Sequence, residues 1–468
     1  MSIVTNPYLL NLLHYSQAAF FGRRDDVRLL ERGAQVRPPR SFVLIGPRAI
    51  GKSWLLRFLS DPEREHEDGT ATVVAIYCDL RERKQLSLLG RVAAALVSAE
   101  NRLVQAFPAS RSELQRIKEG LEQAPSAEAK PHQNGQNVQR LREPLLRLCR
   151  SLADEPAYTL QLCLDHFGDV LNDVDDSEEV FLRELVTLVS FVVTIRSDML
   201  EKYLEQAKKS SPFLNTMLLR YVGSLSATDA RRLITVPYEA QNPGLRLEEA
   251  EIEFLIAAAG RHPLLLTLAC DYYVTYRTQL PNLETAGVGE RLIQGMLAMP
   301  EITRYCDMIW SDLTRRQHHV VRQIVAGAGR ETIEAHRASL KDVISRSLLL
   351  EDLVKGEYRP FSEIFAHYVA ALPPEPEQVV APSVDPLTAV EAELPPLERR
   401  LLGYLRDHAG EVCAKEDLLK HVWIKEQGSW RALEAAIYRI RSRLSEAGGG
   451  NWEYIQTIRR RGYKFVPH

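Results

Sequence analysis

One eight-residue stretch, GPRAIGKS at Gly46–Ser53, constrains this chain more than any other. It satisfies G-x-x-x-x-G-K-[ST]. The apolar run SFVLI (41–45) leads into it, and SWLLRFLS leaves it with helical character. A strand, a glycine turn and a helix in that order aim successive backbone N–H groups inward at a helix N-terminus. That arrangement binds phosphate oxygens. Gly46 and Gly51 let the backbone approach without a Cβ clash. The run Gly46, Pro47, Arg48, Ala49, Ile50, Gly51, Lys52, Ser53 and Trp54 is therefore expected to bind a nucleotide, ATP or ADP. Lys52 reaches the β- and γ-phosphates, and Ser53 binds Mg²⁺.

Such a loop needs a parallel sheet around it, and the sequence supplies one. TVVAIYCDL (72–80), TLQLCLD (159–165) and VSFVVTIR (189–196) are continuous apolar runs of strand length, separated by long helical patterns. Continuous runs indicate strands buried on both faces, which is the α/β layout. Asp165 ends one run, placed to hold the magnesium shell opposite Ser53, although an aspartate there could also cap the next helix. Arg196 follows another run. Its guanidinium could touch a γ-phosphate, or it could be a solvated strand end. After Asp165 comes His166, whereas ATPases that this layout resembles often carry a second acid there to polarise the attacking water; that departure implies slow turnover, with Lys52, Asp165, His166 and Arg196 as the expected catalytic set.

At 468 residues the chain exceeds one ordinary core, so several domains are expected. The first 223 residues carry the nucleotide-binding pattern. PSAEAKPHQNGQNVQ (125–139) within them reads as a surface loop. Residues 224–300 read as a helical lid, in which RLEEAEIEFLIAAAG is an amphipathic helix ended by Gly260. Residues 301–371 hold helices and then SLLLEDLVKGEYRPFS, a hairpin turning at Lys355-Gly356, compatible with a small winged helix. Residues 372–396 contain seven prolines, five acids and no Lys or Arg, which makes them an extended linker before a compact unit at 397–468. Six scattered cysteines with no Cys-x-x-Cys pair argue against zinc and against a disulfide framework. No apolar run is long enough to span a membrane and no leader pattern opens the chain, so a cytoplasmic location is expected.

Net charge is only −3, yet residues 429–468 carry eight Lys/Arg against three acids. In 429–446, Leu433, Ile437, Ile440 and Leu444 recur on one helix face. The opposite face carries Arg431, Ala435, Arg439 and Arg443, with Tyr438 and Ser442 beside it. Small residues there permit close approach to a groove, and arginines reach base edges or phosphates. YIQTI and YKFV then read as two strands joined by RRRG, which concentrates Arg459, Arg460 and Arg461 at a hairpin tip followed by Tyr463 and Lys464. A basic patch in an otherwise acidic chain is the electrostatic footprint expected for double-stranded DNA.

Two resemblances emerge. NPYLL, FFGRRDDVRLL (20–30), the phosphate loop, the Asp165 strand, TIR and GRHPLLL (260–266) follow the order found in STAND-type AAA+ P-loop ATPases, over roughly residues 6–370. That resemblance implies that Phe21, Gly22 and Arg23 line the nucleotide pocket and that Pro263 packs near the base. It also implies that 301–370 clamps an inactive, ADP-bound form. LERRLLGYL, EDLLKHVW, AIYRIRSRL and IRRRGYKF resemble the winged-helix domain of OmpR/PhoB-type response regulators, over about 395–468. It implies a recognition helix at 430–446 and an arginine wing, 459–461, in the minor groove. Arg460 stands where that family often has glycine, and no receiver domain precedes the unit. The expected fold class is multidomain α/β: a P-loop NTPase core, a helical lid, an internal winged helix and a C-terminal DNA-binding winged helix. The expected function is an ATP-controlled transcription regulator that self-associates in the ATP state and answers an unknown activating ligand or protein, with no membrane partner. A DNA-metabolism ATPase (replication, transposition or partition) and a STAND defence sensor with an adaptor-like C-terminal domain are the alternatives.

Overall fold

The computed structural model describes residues 5–8, 15–64, 72–83, 85–122, 134–155, 157–174, 176–196, 199, 213–279, 283, 287–334, 336–352, 356–373, 391, 394–422, 430–448, 454–458 and 462–466. The chain divides into two compact units, Met1–Leu372 and Pro373–His468.

The first unit is built on five parallel strands: β1 (Phe42–Ile45), β2 (Thr72–Asp79), β3 (Tyr158–Asp165), β4 (Ser190–Ile195) and β5 (Leu218–Tyr221). Their order across the sheet is β2-β3-β4-β1-β5. The four longer apolar runs of the sequence are β1 to β4. Both faces of the sheet are covered, because alternate residues of β1 enter different cores. Val43 and Ile45 pack with Leu89, Leu145 and Phe181 on one side; Phe42 and Leu44 pack with Leu30, Leu55 and Leu59 on the other. Burial of each such side chain is worth about 1.5–3 kcal/mol. β5 was not legible as a strand. It is four residues long at the sheet edge, and Leu218, Leu219 and Tyr221 are about half exposed.

The stretch 125–139, read as a loop, is helical in its second part: a helix runs Asn134–Ala153. Residues 123–133 lie outside the described residues. Leu141, Leu145, Leu148 and Leu152 bury one face of this helix, and the packed face carries the polar first turns with it.

From Leu225 to Val369 one continuous apolar core joins eight α-helices of eight or more residues, Ala227–Gln241 through Glu363–Ala371, and also takes in Tyr8. Ser226 caps Ala227–Gln241, and Glu248 with Glu251 forms a capping box on Glu249–Ala259, which ends at Gly260 as expected. β6 (Leu349–Asp352) and β7 (Glu357–Pro360) pair antiparallel as the expected hairpin. Gly356, at φ 68°, takes the left-handed position of its turn, and Lys355 lies outside the described residues.

The second unit has helices Pro396–Asp407, Lys415–Val422 and Trp430–Gly448. A three-stranded antiparallel sheet of β8 (Val412–Ala414), β9 (Ile455–Ile458) and β10 (Gly462–Phe465) completes it in the order β8-β10-β9. The predicted face Leu433, Ile437, Ile440 and Leu444 is buried against Leu401, Leu405 and Leu418. β8 was unexpected; only three residues pair there. Gly462 is required at this pairing, since a Cβ would lie 1.9 Å from the Cys413 carbonyl oxygen. Leu394 is also buried in this core, and the Glu391 carbonyl accepts from Arg399 Nε at 2.8 Å, so packing begins before residue 397.

Candidate functional site

The phosphate loop leaves β1 as expected, and its first glycine is fixed by packing. A Cβ on Gly46 would lie 2.5 Å from the Val222 carbonyl oxygen, while Val222 donates its N–H to Ile45 O at 2.7 Å. Gly51, at φ 100°, precedes the helix Lys52–Ser60. Lys52 Nζ donates to the carbonyls of Gly46 and Pro47, both at 2.7 Å, and so spans the loop from within.

Above the loop is a cavity of about 410 Å³. The predicted residues Phe21, Arg23, Arg48 to Trp54, Asp165, His166, Arg196 and Pro263 all line it. Three predicted binding residues do not. Gly46 and Gly22 act through the backbone: a Cβ on Gly22 would meet the Asp229 carboxylate at 2.7 Å. Pro47 faces a second, smaller cavity. Arg23 does more than line the wall. It is nearly buried, and its guanidinium donates to Ile50 O (2.9 Å) in the loop and Gly223 O (2.6 Å) beyond β5. Burial pulls its pKa down, and Asp26 opposes that shift.

Asp165 ends β3 with its carboxylate buried. Tyr77 donates to Oδ2 at 2.8 Å, Thr194 donates to Oδ1 at 2.5 Å, and the His166 backbone N–H donates to Oδ1 at 3.0 Å. These donors are neutral, and no Lys or Arg among the described residues pairs with this carboxylate. A buried carboxylate held by neutral donors beside a phosphate loop fits a divalent cation shared with Ser53. A shared site of this kind needs one carboxylate, a hydroxyl, phosphates and waters, not a protein cage, and among the described residues no cluster of three or more His, Cys, Asp or Glu suits a metal. Tyr77 is half-buried next to Asp165, and both effects push its pKa up.

His166 takes a left-handed backbone (φ 62°), with its N–H also 2.9 Å from Thr194 Oγ1. Its ring lies between two carboxylates: Nε2 is 3.4 Å from Asp165 Oδ2, and Nδ1 is 3.6 Å from Asp169 Oδ2. Asp79 ends β2 in register with Asp165, but Arg81 takes it in a two-pronged pair at 2.8 and 3.1 Å. Despite burial, that pair and the nearby His166 hold Asp79 below the usual carboxylate range. Arg196 lines the cavity at the end of β4, 3.9 Å from Asp312. Sequence reasoning missed Tyr77, Asp79, Arg81, Thr194 and Asp312. Thr194 and Asp79 had a signal, as polar residues ending apolar strands. Asp312 had none, because chain folding brings it from over a hundred residues away.

In the second unit the predicted DNA face divides. Arg459 to Arg461 lie outside the described residues. Arg431, Ala435, Tyr438 and Ser442 lie in the helix Trp430–Gly448, but their side chains are outside what is described. Arg443 is exposed and Lys464 partly so. One expectation from the sequence needs correction. Tyr463 is only 4% exposed and belongs to the core, where the pleat of β10 turns it inward, so it is not a surface contact. Arg439, read as reaching base edges or phosphates, remains exposed and donates Nε to the buried carboxylate of Glu398. Arg441, not singled out, ties the helix to β9 through Ile455 O (2.8 Å) and Thr457 Oγ1 (2.9 Å).

A five-stranded parallel sheet with this loop and this acid defines a P-loop NTPase. Family models agree and extend the result: residues 19–200 match the AAA ATPase domain, and residues 390–465 match the C-terminal domain of transcriptional regulatory proteins. The chain thus joins an AAA ATPase domain to a C-terminal, OmpR/PhoB-type transcriptional regulatory domain. Transcriptional regulatory protein SrrA of Staphylococcus aureus is 37% identical over 76 residues, which are 16% of this chain and 32% of that protein. The match therefore spans about a third of that relative's length. Among solved structures, the Walker-type ATPase PABY2304 of Pyrococcus abyssi is similar at 16% identity, covering 76% of this chain and 99% of that one, with a TM-score of 0.48. The ORC2 protein of Aeropyrum pernix, solved as ADPNP–ADP complexes, gives 11% identity, 78% and 97% coverage, and a TM-score of 0.37. Among the described residues no helix is long and apolar enough to cross a membrane.

Proposed function

We propose that this chain is a cytoplasmic STAND-type switch, in which ATP or ADP with Mg²⁺ controls a DNA-binding transcription regulator. The supporting observation is the company Asp165 keeps. Its carboxylate is held by Tyr77 and Thr194 at the loop that carries Lys52 and Ser53, while the next side chain is an imidazole and not a carboxylate. Bound Mg²⁺ would neutralise phosphate charge; Asp165 and Ser53 would hold it. Lys52 would exchange its loop carbonyls for phosphate oxygens. Arg23 would keep the loop in register with Gly223, and Pro263, at the start of the helix Pro263–Tyr276, would pack at the far wall of the cavity. Such a site suits holding a nucleotide more than turning it over.

The output would be double-stranded DNA, bound through the helix Trp430–Gly448 and the basic hairpin after it. Self-association in the ATP state would raise avidity by linking several weak DNA modules. An unknown ligand or protein would shift the nucleotide equilibrium.

The test uses the full-length chain. Calorimetry should show Mg-ADP and Mg-ATP binding that Lys52→Ala abolishes; retained affinity in that variant would remove the phosphate-loop assignment. Chromatin pull-down should return promoter-proximal DNA, and its occupancy should change in cells carrying Lys52→Ala. Occupancy confined to replication origins or element ends would favour DNA metabolism instead.

A further inference from the structure

We propose that Asp312 makes the nucleotide site select a diphosphate over a triphosphate, by holding as an internal anion the arginines that a γ-phosphate would need. This rests on the nucleotide site argued above and goes beyond it. Asp312 follows the helix Pro300–Ser311, far in sequence from the phosphate loop. Arg48, the third residue of that loop, donates Nε to Asp312 Oδ2 at 2.8 Å. Arg196, at the end of β4, approaches Oδ1 at 3.9 Å. The buried Arg346, just before β6, donates NH1 to the Asp312 carbonyl oxygen at 2.9 Å and fixes the backbone that presents the carboxylate.

Three arginines from three separate elements therefore converge on one aspartate. Arg48 and Arg196 also line both cavities: the large one above the loop and the smaller one that contains Asp312. Each guanidinium thus borders the nucleotide on one side and the aspartate on the other. A diphosphate ends one phosphoryl group short and leaves the Arg48–Asp312 and Arg196–Asp312 contacts in place. A triphosphate brings further negative charge toward the same guanidiniums. It must then share them with a carboxylate that is four-fifths covered, or displace it. Displacement would draw the segment around Asp312 away from the loop, so the same contact couples nucleotide identity to the position of the helical part. Coupling requires a differential contact of this kind between two states.

Calorimetry on the full-length chain, with Mg-ADP and the β,γ-imido analogue of Mg-ATP, tests this. The wild type should bind ADP more tightly than the analogue. Asp312→Asn, which removes the charge and keeps the shape, should narrow that gap about tenfold by tightening analogue binding, with ADP affinity little changed. Asp312→Ser, smaller still, should act in the same direction. A wild type without preference for ADP overturns the proposal with no variant needed. Variants that bind ADP normally and keep the wild-type gap also overturn it. A wild type that binds neither nucleotide would instead overturn the nucleotide reading on which it rests.

Discussion

His262 offers a stability prediction that can be worked to a number. It immediately precedes Pro263, is 2% exposed, and lies with a ring nitrogen 2.5 Å from the Tyr305 hydroxyl. Burial drives its pKa down from 6.5 to about 3; the positive charges of Arg23 and Lys52 push the same way, and a hydrogen bond with the Arg48 backbone opposes them. The folded ring is therefore neutral where the unfolded one takes a proton. Between pH 6.5 and 3 the unfolded state binds more protons, so stability rises with pH across that window. The contribution is complete above pH 6.5 and is lost as pH falls below it. Between pH 7.5 and 5 the loss is about 1.5 pH units of linkage, or ~2 kcal/mol. His262→Gln keeps a polar partner for Tyr305 and removes the titration. Urea unfolding of wild type and variant at pH 7.5, 6 and 5 isolates the term, because every carboxylate is common to both chains. Hydrogen exchange of amides 264–276, corrected for intrinsic rates, localises it. The variant should gain on the wild type by ~2 kcal/mol between pH 7.5 and 5. A difference that stays flat over that range would refute the buried, neutral histidine.

Three further outcomes follow from the geometry. Thr194→Val removes a hydroxyl from the buried Asp165 carboxylate and from the His166 amide; a stability loss of about 1–3 kcal/mol should appear on thermal unfolding, with weaker Mg²⁺ dependence of nucleotide binding by calorimetry. Gly46→Ala forces a Cβ against Val222 O, and should cost about 1–3 kcal/mol in urea while weakening ADP binding. Arg439→Ala leaves Glu398 buried without its cation, so the second unit should lose about 1–3 kcal/mol of unfolding free energy even without DNA; an unchanged unfolding free energy would refute a structural role for this pair.

The sequence was most legible where local pattern and tertiary demand coincide. β1 to β4 must be apolar throughout because helices cover both sheet faces, and continuous runs say so without any fold. The phosphate loop is legible for a similar reason: its glycines answer local backbone requirements. β5 and β8 were not legible, since four and three residues at sheet edges carry no periodic signal. The Asn134 helix start was hidden by polar residues that are helical only because Leu141 to Leu152 are packed. Side-chain roles were harder still. Arg439 lies opposite the apolar stripe of its helix, as a groove-facing residue would. Only the fold reveals that helix Pro396–Asp407 brings Glu398 to meet it. Asp312 and Arg346 carry no motif, and their meaning is entirely in what they touch.

On the proposed reading, His166 separates holding a nucleotide from hydrolysing it. The backbone at 166 is fixed by hydrogen bonds from its own N–H to Asp165 Oδ1 and Thr194 Oγ1, and neither bond involves the imidazole. Its left-handed conformation is one that histidine tolerates better than most side chains. The two hydrogen bonds that hold the backbone at 166 therefore do not depend on its side chain, and on the proposed reading that side chain sets the speed of water attack. His166→Glu should then leave ADP affinity near wild type and raise the ATP hydrolysis rate, read as phosphate release per mole of chain. Loss of ADP affinity would mean that the imidazole, through its contacts with Asp165 and Asp169, helps to build the binding site and cannot be a separate timing element.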